Sequence, residues 1–567
     1  MGNLFSALSI GQTGLSVAQI QLDVAGNNIA SVNKEGYSRQ RAELLSRPPQ
    51  VRQFGILPSG PQVGAISRAR DDFLDVVFRQ EVQTLGQSEV RAQFFERIED
   101  IFQEPNAGGF SENLNVFFDA LNDFANNVEE LPVRVSLLTQ AETLADQLQT
   151  ISQQLDTLRT NANEEVREQV QDINRIAAEI AELNVTIRRT EAGQRQANDL
   201  RDERDLLLDE LARIANIDYR ERDNGEVDVF IGGAELVRGD DTRTLQAVPN
   251  ASLDPERNDL LEVIFQTSGA PVDITDGELF GALEARDTDV PAVDAQIDAL
   301  AGGLIERINS IHSQGNGLTN YTSTVTSTNA VDDPSNPIDA ADLPFAVQSG
   351  SFDIPIYDSN NVNIATVTVP VTAGVTTLND IVNDINASGL VSAAVTADNR
   401  LQLSPVANFS FAFSNDSSNV LAALGVNTLF SGSDASDIGV NQRIVDDPTL
   451  LASGFSLDPT ETGDNRAALA LANVRNEAIL GGNTQTLNEF FESTIVQIGI
   501  EANANESTFE VQESFIRDFQ RRREEVSGVN LDEEATQLLQ FQRAFEASSR
   551  VITTADRMLA ALLAIGA

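Results

Sequence analysis

The sequence predicts a multidomain α+β protein: a terminal α-helical coiled-coil pair and a long-helix bundle, with mainly β outer domains inserted. Three observations lead there. Both ends of the 567-residue chain repeat apolar residues every seven positions, a long proline-free run lies inside, and residues 321–447 are rich in Thr, Ser, Asn and Val in alternating stretches. A chain of this length exceeds one ordinary hydrophobic core, so several domains are expected.

In the opening stretch, which contains LSIGQTGLSVAQIQLDVAGNNIASVN, Leu8, Leu15, Leu22 and Ile29 recur every seven residues, with Leu4, Gly11, Ala18 and Ala25 as a second row. This is an a/d seam of period 3.5, large in one row and mostly small in the other. A small row permits close approach but needs a bulky partner. The closing segment supplies one: Leu531, Leu538, Phe545, Ile552 and Leu559 again fall every seven residues, and no proline follows Pro459 to break a long helix. The two incomplete seams are expected to pair. The predicted assembly interface is Leu8, Leu15, Leu22 and Ile29 with Leu538, Phe545, Ile552 and Leu559. Two narrow-seam helices leave apolar surface uncovered, so further copies are expected to complete the burial and to order the ends on assembly.

Between Pro132 and Pro249, Val166, Val170, Ile173, Ala177, Ile180, Leu183 and Ile187 step by threes and fours, predicting a long amphipathic helix. A second helix follows in NDLRDERDLLLDELARIANI, with Asn198 as its expected cap. Asn224-Gly225 then marks a hairpin, and LNDIVNDIN reads as one short helix inside the β-rich insertion. The resulting organisation is a coiled-coil half with an extended linker (1–70), a helical domain (71–215), a β-rich module (216–275), a helical return (276–320), the β-rich outer insertion (321–447), the second part of the helical domain (448–525) and the C-terminal coiled-coil half (526–567).

Composition narrows the function. A formal charge of −48 repels phosphate backbones, so nucleic-acid binding is not expected. No run of about 18 apolar residues predicts membrane insertion, and the N-terminus lacks the basic and apolar regions of a cleavable secretory signal. The absence of cysteine removes disulfides, thiolate metal sites and cysteine nucleophiles. The single histidine, His312, has no nucleophile-elbow serine to serve and reads as a cap or packing residue. Adjacent pairs such as Asp71-Asp72 and Asp446-Asp447 follow from 86 acidic residues and lack calcium-loop spacing. No catalytic, cofactor-binding or metal-binding residue, and no cofactor, is predicted.

The segment SALSIGQTGLSVAQIQLDVAGNNIASVNKEGYSRQRAEL resembles the N-terminal signature of flagellar rod, hook and hook-associated proteins, centred on Asn27 and Asn28. The continuation through Asn33, Gly36 and Tyr37 is similar to one branch, the family of the first hook–filament junction protein. NDLRDERDLLLDELARIANI, DVFIGGAELVRG, ERINSIHSQGNGL and GVNLDEEATQLLQFQRAFEASSRVITTADRMLAALL match that family in order along nearly the whole chain. The sequence departs from the motif at Gly26, where asparagine is common, while Asn27 and Asn28 remain.

The resemblance implies a non-enzymatic structural subunit of the bacterial flagellum, extracellular at the hook–filament junction. It implies unfolded export by the flagellar type III system and polymerisation through the terminal helices into a helical or ring-like homo-oligomer. The implied partners are further copies, the hook protein, the second hook–filament junction protein and an export chaperone at the C-terminal helix. Absent cysteines suit passage through a narrow channel. The alternatives are another flagellar axial protein (hook or second junction protein) or, from a different class, a secreted acidic hydrolase or adhesin.

Overall fold

A computed structural model describes residues 2–52, 55–102, 109–193, 196–255, 257–338 and 343–565. In chain order, α1 (Gly2–Ala30) leads into β1 (Gln40–Ser46), β2 (Gln50–Arg52), β3 (Gly55–Leu57) and β4 (Pro61–Arg68). The helices α2 (Asp72–Phe102), α3 (Phe110–Asn126), α4 (Leu131–Glu191) and α5 (Asn198–Ile214) follow. Next come β5 (Ile217–Glu221), β6 (Val227–Ile231), β7 (Ala234–Arg238), β8 (Asp241–Thr242), β9 (Leu245–Pro249) and β10 (Leu261–Phe265). After α6 (Glu278–Glu284), a π-helical turn and α7 (Val290–His312), the insertion holds β11 (Val325–Thr326), β12 (Gly350–Tyr357), β13 (Asn363–Val371), α8 (Leu378–Asn386), β14 (Val391–Val395), β15 (Leu401–Pro405) and β16 (Ser410–Phe411). The chain continues through α9 (Val420–Leu424), β17 (Phe430–Ser431), β18 (Gly439–Val440), α10 (Gln442–Asp446) and α11 (Arg466–Asn473), and ends in α12 (Leu487–Ser527) and α13 (Leu531–Ile565). This is the mixed α+β architecture the sequence predicts.

The chain forms two compact units. One comprises Met1–Gln93, Asn161–Arg286 and Ala504–Ala567; the other comprises Phe94–Thr160 and Asp287–Asn503. In the first, β1 pairs antiparallel with β4, β2 with β3 and β9 with β10, while β5-β6-β7-β8 form a four-stranded antiparallel sheet. The expected stripe on α4 is buried at Val166, Val170, Ile173, Ala177, Ile180 and Ile187, alongside Leu208 and Leu211 of α5. Asn184 of α4 is fully buried and stands in for a strand: its amide donates to the carbonyls of Val227 and Gly239 and accepts from Val227 N–H. The β5–β6 turn uses Gly225 in the left-handed region at φ 82°. The expected cap at Asn198 is not made. Asn198 is the first helical residue, and its side-chain amide donates instead to the carbonyl of Ile66 on β4, a stronger claim on a side chain facing inward.

The second unit is built on phenylalanine. Phe110, Leu114, Phe117, Phe118, Leu121 and Phe124 of α3 are buried along one face, and Phe110 meets Phe491 of α12 with ring centroids 4.6 Å apart. Such tilted aromatic pairs add about 0.5–1.5 kcal/mol beyond their area burial. The insertion contributes two three-stranded sheets, β11-β15-β14 and β13-β12-β16. Helix α8 is the short helix expected there. Thr377 and Asp380 close its N-terminus in a reciprocal capping box.

His312 closes α7 and is completely buried. Its Nδ1 lies 2.7 Å from the carbonyl of Asn427, and its Nε2 accepts from the backbone N–H of Ala452 at 3.0 Å. An acceptor at one nitrogen and a donor at the other fix the neutral Nδ1–H tautomer. Burial is the largest cause that lowers its pKa from 6.5 to about 4. Because the folded value is depressed, the neutral ring's full contribution to stability is present above 6.5 and is lost as pH falls towards about 4. As this is the only histidine, its NMR signals report without overlap. They are expected to keep the Nδ1–H pattern at pH 5.5, and a midpoint near 6.5 in the folded chain would refute the burial.

Candidate assembly site

The two terminal seams meet. Helices α1 and α13 run antiparallel, with Gly11 beside Ser548, Val551 and Ile552 and Asn28 beside Glu534. A Cβ at Gly11 would stand 3.0 Å from Ile552 Cγ1, and one at Gly14 would stand 2.9 Å from Ser548 Oγ, so these glycines set the closeness of the pair. The small row of α1 forms the tight seam: Gly11, Ala18 and Ala25 are buried. Leu8, Leu15, Leu22 and Ile29 flank it half-buried, as do Leu538, Phe545, Ile552 and Leu559 on α13. Close approach over small residues pushes the longer side chains to the flanks. Elsewhere along the pair Phe5 of α1 and Leu531, Leu539, Val551 and Met558 of α13 are exposed, each about half or more. Their apolar area is available to a neighbour.

At the far end of the pair a buried polar clasp sets the register. Asn28 is 1% exposed. Its amide donates to the Gln40 carbonyl at 3.0 Å and to Glu534 Oε2 at 3.1 Å, while its Oδ1 accepts from Tyr37 O–H and Gln40 N–H, both at 2.9 Å. Glu534, also 1% exposed, receives Arg39 Nε at 2.7 Å through its other oxygen. Asn27 donates to Tyr37 Oη at 3.2 Å. Burial, then Asp199, Asp202 and Glu534, push the Tyr37 phenol up to about 12, so it stays a hydrogen-bond donor. Gly36 adopts φ 72°, turning the chain so that Ser38 N–H and Oγ both donate to the Asp202 carboxylate of α5. Asn33 stays exposed in the preceding turn. Of the motif residues the resemblance singled out, Asn27, Asn28, Gly36 and Tyr37 thus converge here.

Behind the clasp lies a charge network that sequence reasoning did not single out. Asp202, Asp205 and Asp209 recur at i, i+3 and i+7 on α5, one face of a helix. Arg68 Nη1 sits 2.8 Å from Asp202 and 2.7 Å from Asp205; Arg70 Nη1 is 3.0 Å from Asp205 and its Nε 2.6 Å from Asp75. Arg79 Nε meets Asp209 at 2.6 Å, and Arg523 of α12 bridges Asp75 and Asp209 at 2.8 and 2.9 Å. Burial alone would raise the Asp205 pKa, but Arg70, Arg68 and Arg79 outweigh it and hold the carboxyl well below the usual range. The three-four spacing of aspartates in DLRDERDLLLD was the available signal. The arginines come from distant segments and carried none.

The site holds polar clamps and apolar flanks, an arrangement that fixes the register of the helix pair. The acidic pairs serve locally: Asp71 caps α2 by accepting from Phe73 and Leu74 N–H, and Asp447 accepts from Thr449 N–H. Among the described residues no helix is long and apolar enough to cross a membrane.

Comparison with known proteins agrees with this reading. Residues 95–324 match the family described as "Flagellar hook-associated protein FlgK helical domain", and residues 520–565 match "Flagellar basal body rod FlgEFG protein C-terminal". The chain is 27% identical to flagellar hook-associated protein 1 of Salmonella typhimurium, over 99% of this chain and 100% of that one. It is 26% identical to the Escherichia coli protein of the same name (99% and 100% covered) and 24% identical to that of Bacillus subtilis (99% and 98%). Among solved structures it is similar in fold to the flagellar hook junction protein FlgK from Burkholderia pseudomallei, with a TM-score of 0.50, 16% identity, and 79% of this chain and 100% of that one covered.

Proposed function

Because the chain belongs to the flagellar hook-associated protein 1 family, we propose that it is a non-enzymatic subunit of the extracellular hook–filament junction, polymerised through its terminal helices after unfolded export by the flagellar type III system. The observation that carries this reading is the antiparallel α1–α13 pair, closed over Gly11, Ala18 and Ala25 yet leaving Phe5, Leu531, Leu539 and Met558 half or more exposed. A helix pair of this kind buries its remaining surface by packing against copies of itself, which gives a tubular or ring-like array around the export path. The partners in this reading are further copies, the hook protein and the second junction protein, with a chaperone covering α13 before export. A role as the hook protein itself is disfavoured, since the match over 95–324 is to the hook-associated helical domain.

The test is genetic and biophysical together. A strain lacking the chain is expected to build hooks and to shed filament subunits into the medium, and the wild-type chain to restore filaments. Leu539→Asp, at a position 58% exposed, is expected not to restore them, although the purified variant should lose no more than about 0.5 kcal/mol of stability. Filaments retained by the deletion strain, or full rescue by Leu539→Asp, would count against the proposal.

A further inference from the structure

We propose that the β1–β4 ribbon of one copy docks its outer end into a groove beside the 32–39 turn of the next copy, a head-to-tail contact that rests on the assembly reading above. The first observation is charge. In a chain of net −48, residues 44–70 contain four arginines and no carboxylate side chain. Arg68 and Arg70 are consumed by the α5 aspartates. Arg47 is exposed, and among the described residues it meets no carboxylate; its Nε reaches only Gln62 Oε1, at 3.3 Å.

The second observation is apolar exposure at the same place. Val51 and Ile56 face each other across β2–β3 and are 79% and 68% exposed, and Leu44 and Leu45 are exposed beside the bulge in β1. Pro48, Pro49, Pro58 and Pro61 stiffen the segments joining the two parts of the ribbon. A stiff, preformed element loses little freedom on docking.

The third observation is a complementary hole on the same unit. A groove of about 1400 Å³ opens between the 32–39 turn, α2, α5 and the α12–α13 connection. That exceeds the roughly 300–1,000 Å³ of clefts that enclose small ligands, so its scale fits a protein segment. Its floor is apolar, with Phe78, Val82, Leu85 and Ile516. Its rim carries Glu35, Glu524 and Glu525, exposed and without a cationic partner among the described residues, against Lys34 as the one unpaired cation there. The groove's arginines are already engaged, Arg39 by Glu533 and Glu534, Arg213 by Glu89 and Glu278, Arg70 by Asp75 and Asp205, and Arg523 by Asp75 and Asp209.

Geometry makes the contact intermolecular. The ribbon runs along α1: Gln40 at its root is bonded to Asn28, while Gly60 sits against Ile10 and Thr13. Those points are eighteen residues apart on α1, roughly 27 Å at 1.5 Å per residue. The ribbon's outer end therefore lies away from its own groove, at the opposite end of the helix. A cationic apolar knob at one end and an anionic apolar hole at the other define a heterologous contact, the kind that propagates rings and helices.

The absence of cysteine makes the test direct. Full-length Val51→Cys is mixed with full-length Glu525→Cys under conditions where light scattering reports association, and is then oxidised. A disulfide heterodimer is expected at about tenfold or more over a control mixture of Val362→Cys with Glu525→Cys, because docking raises the local thiol concentration. Adding Arg47→Glu to the first chain should lower the yield about tenfold, and Glu524→Arg in the second should restore it. Assemblies that form without a heterodimer above the control overturn the docking and leave the assembly reading standing. Chains that stay monomeric throughout overturn both.

Discussion

Replacing Asp205 with asparagine is expected to destabilise the first unit by about 3–5 kcal/mol, the cost of leaving buried charge uncompensated. Asp205 is one carboxylate for three guanidiniums: Arg68 at 2.7 Å, Arg70 at 3.0 Å and Arg79 at 3.5 Å, each about a tenth exposed or less. Asparagine keeps the shape, removes the charge and turns one acceptor into a donor aimed at other donors. Asp202 and Asp209 remain, so the network loses its centre rather than all its anions. Amide hydrogen exchange in α5 and β4 is the suitable readout, because it reports this unit separately, and exchange there should accelerate about a hundredfold or more. The control is Glu179→Gln, where an exposed helical pair with Arg175 is worth about half a kcal/mol or less. The same geometry gives a sign for pH. Asp205 has a depressed pKa in the fold, so its contribution is complete above its ordinary 3.8 and declines as pH falls below that value. Unchanged exchange in Asp205→Asn would mean that the arginines reach water and that the network is a surface feature.

How far the sequence foretold this site depends on the kind of interaction. Periodicity located α1, α13 and the buried stripe of α4, because apolar burial repeats with the helix and needs no knowledge of the partner. The same period placed Leu8, Leu15, Leu22 and Ile29 on the seam side and marked the row of Gly11, Ala18 and Ala25 as open to close approach, yet it could not tell how close the helices would come. Two rows of letters do not encode an interhelical distance. Asn28 was legible only as part of a resemblance. Its function as the amide joining Gln40, Tyr37 and Glu534 needs positions 12, 9 and 506 residues away to be brought together. Glu534 had no sequence signal at all: in Leu531-Asp532-Glu533-Glu534 it looks like one of three acids in a first helical turn, where carboxylates favour the dipole. Asn198 shows the converse error, since a sound local rule for caps yielded to a carbonyl offered by β4.

Glu534→Ala is the second large expectation, and its neighbour provides the internal comparison. Glu533 and Glu534 both face Arg39, at 2.9 and 2.7 Å, but Glu533 is 58% exposed at its side chain and Glu534 only 1%. Water screens the first pair, so Glu533→Ala should cost no more than about 1 kcal/mol. Removing Glu534 leaves the Arg39 guanidinium, 8% exposed, with that single solvated partner, and strips one acceptor from the Asn28 amide. Asn28 cannot compensate by flipping, because its Oδ1 already accepts from both Tyr37 and Gln40. A loss of about 3–5 kcal/mol is therefore expected, concentrated in the docking of α13 against α1. Limited proteolysis should release a C-terminal fragment from Glu534→Ala and spare Glu533→Ala. A double-mutant cycle with Asn28→Ala should return a coupling of about 1 kcal/mol or more, since the two side chains share one hydrogen bond in a buried network. Equal, small effects from Glu533→Ala and Glu534→Ala would show instead that the helix pair is registered by its apolar flanks alone, with Leu22 and Ile29 setting the position of α13 in place of the clasp.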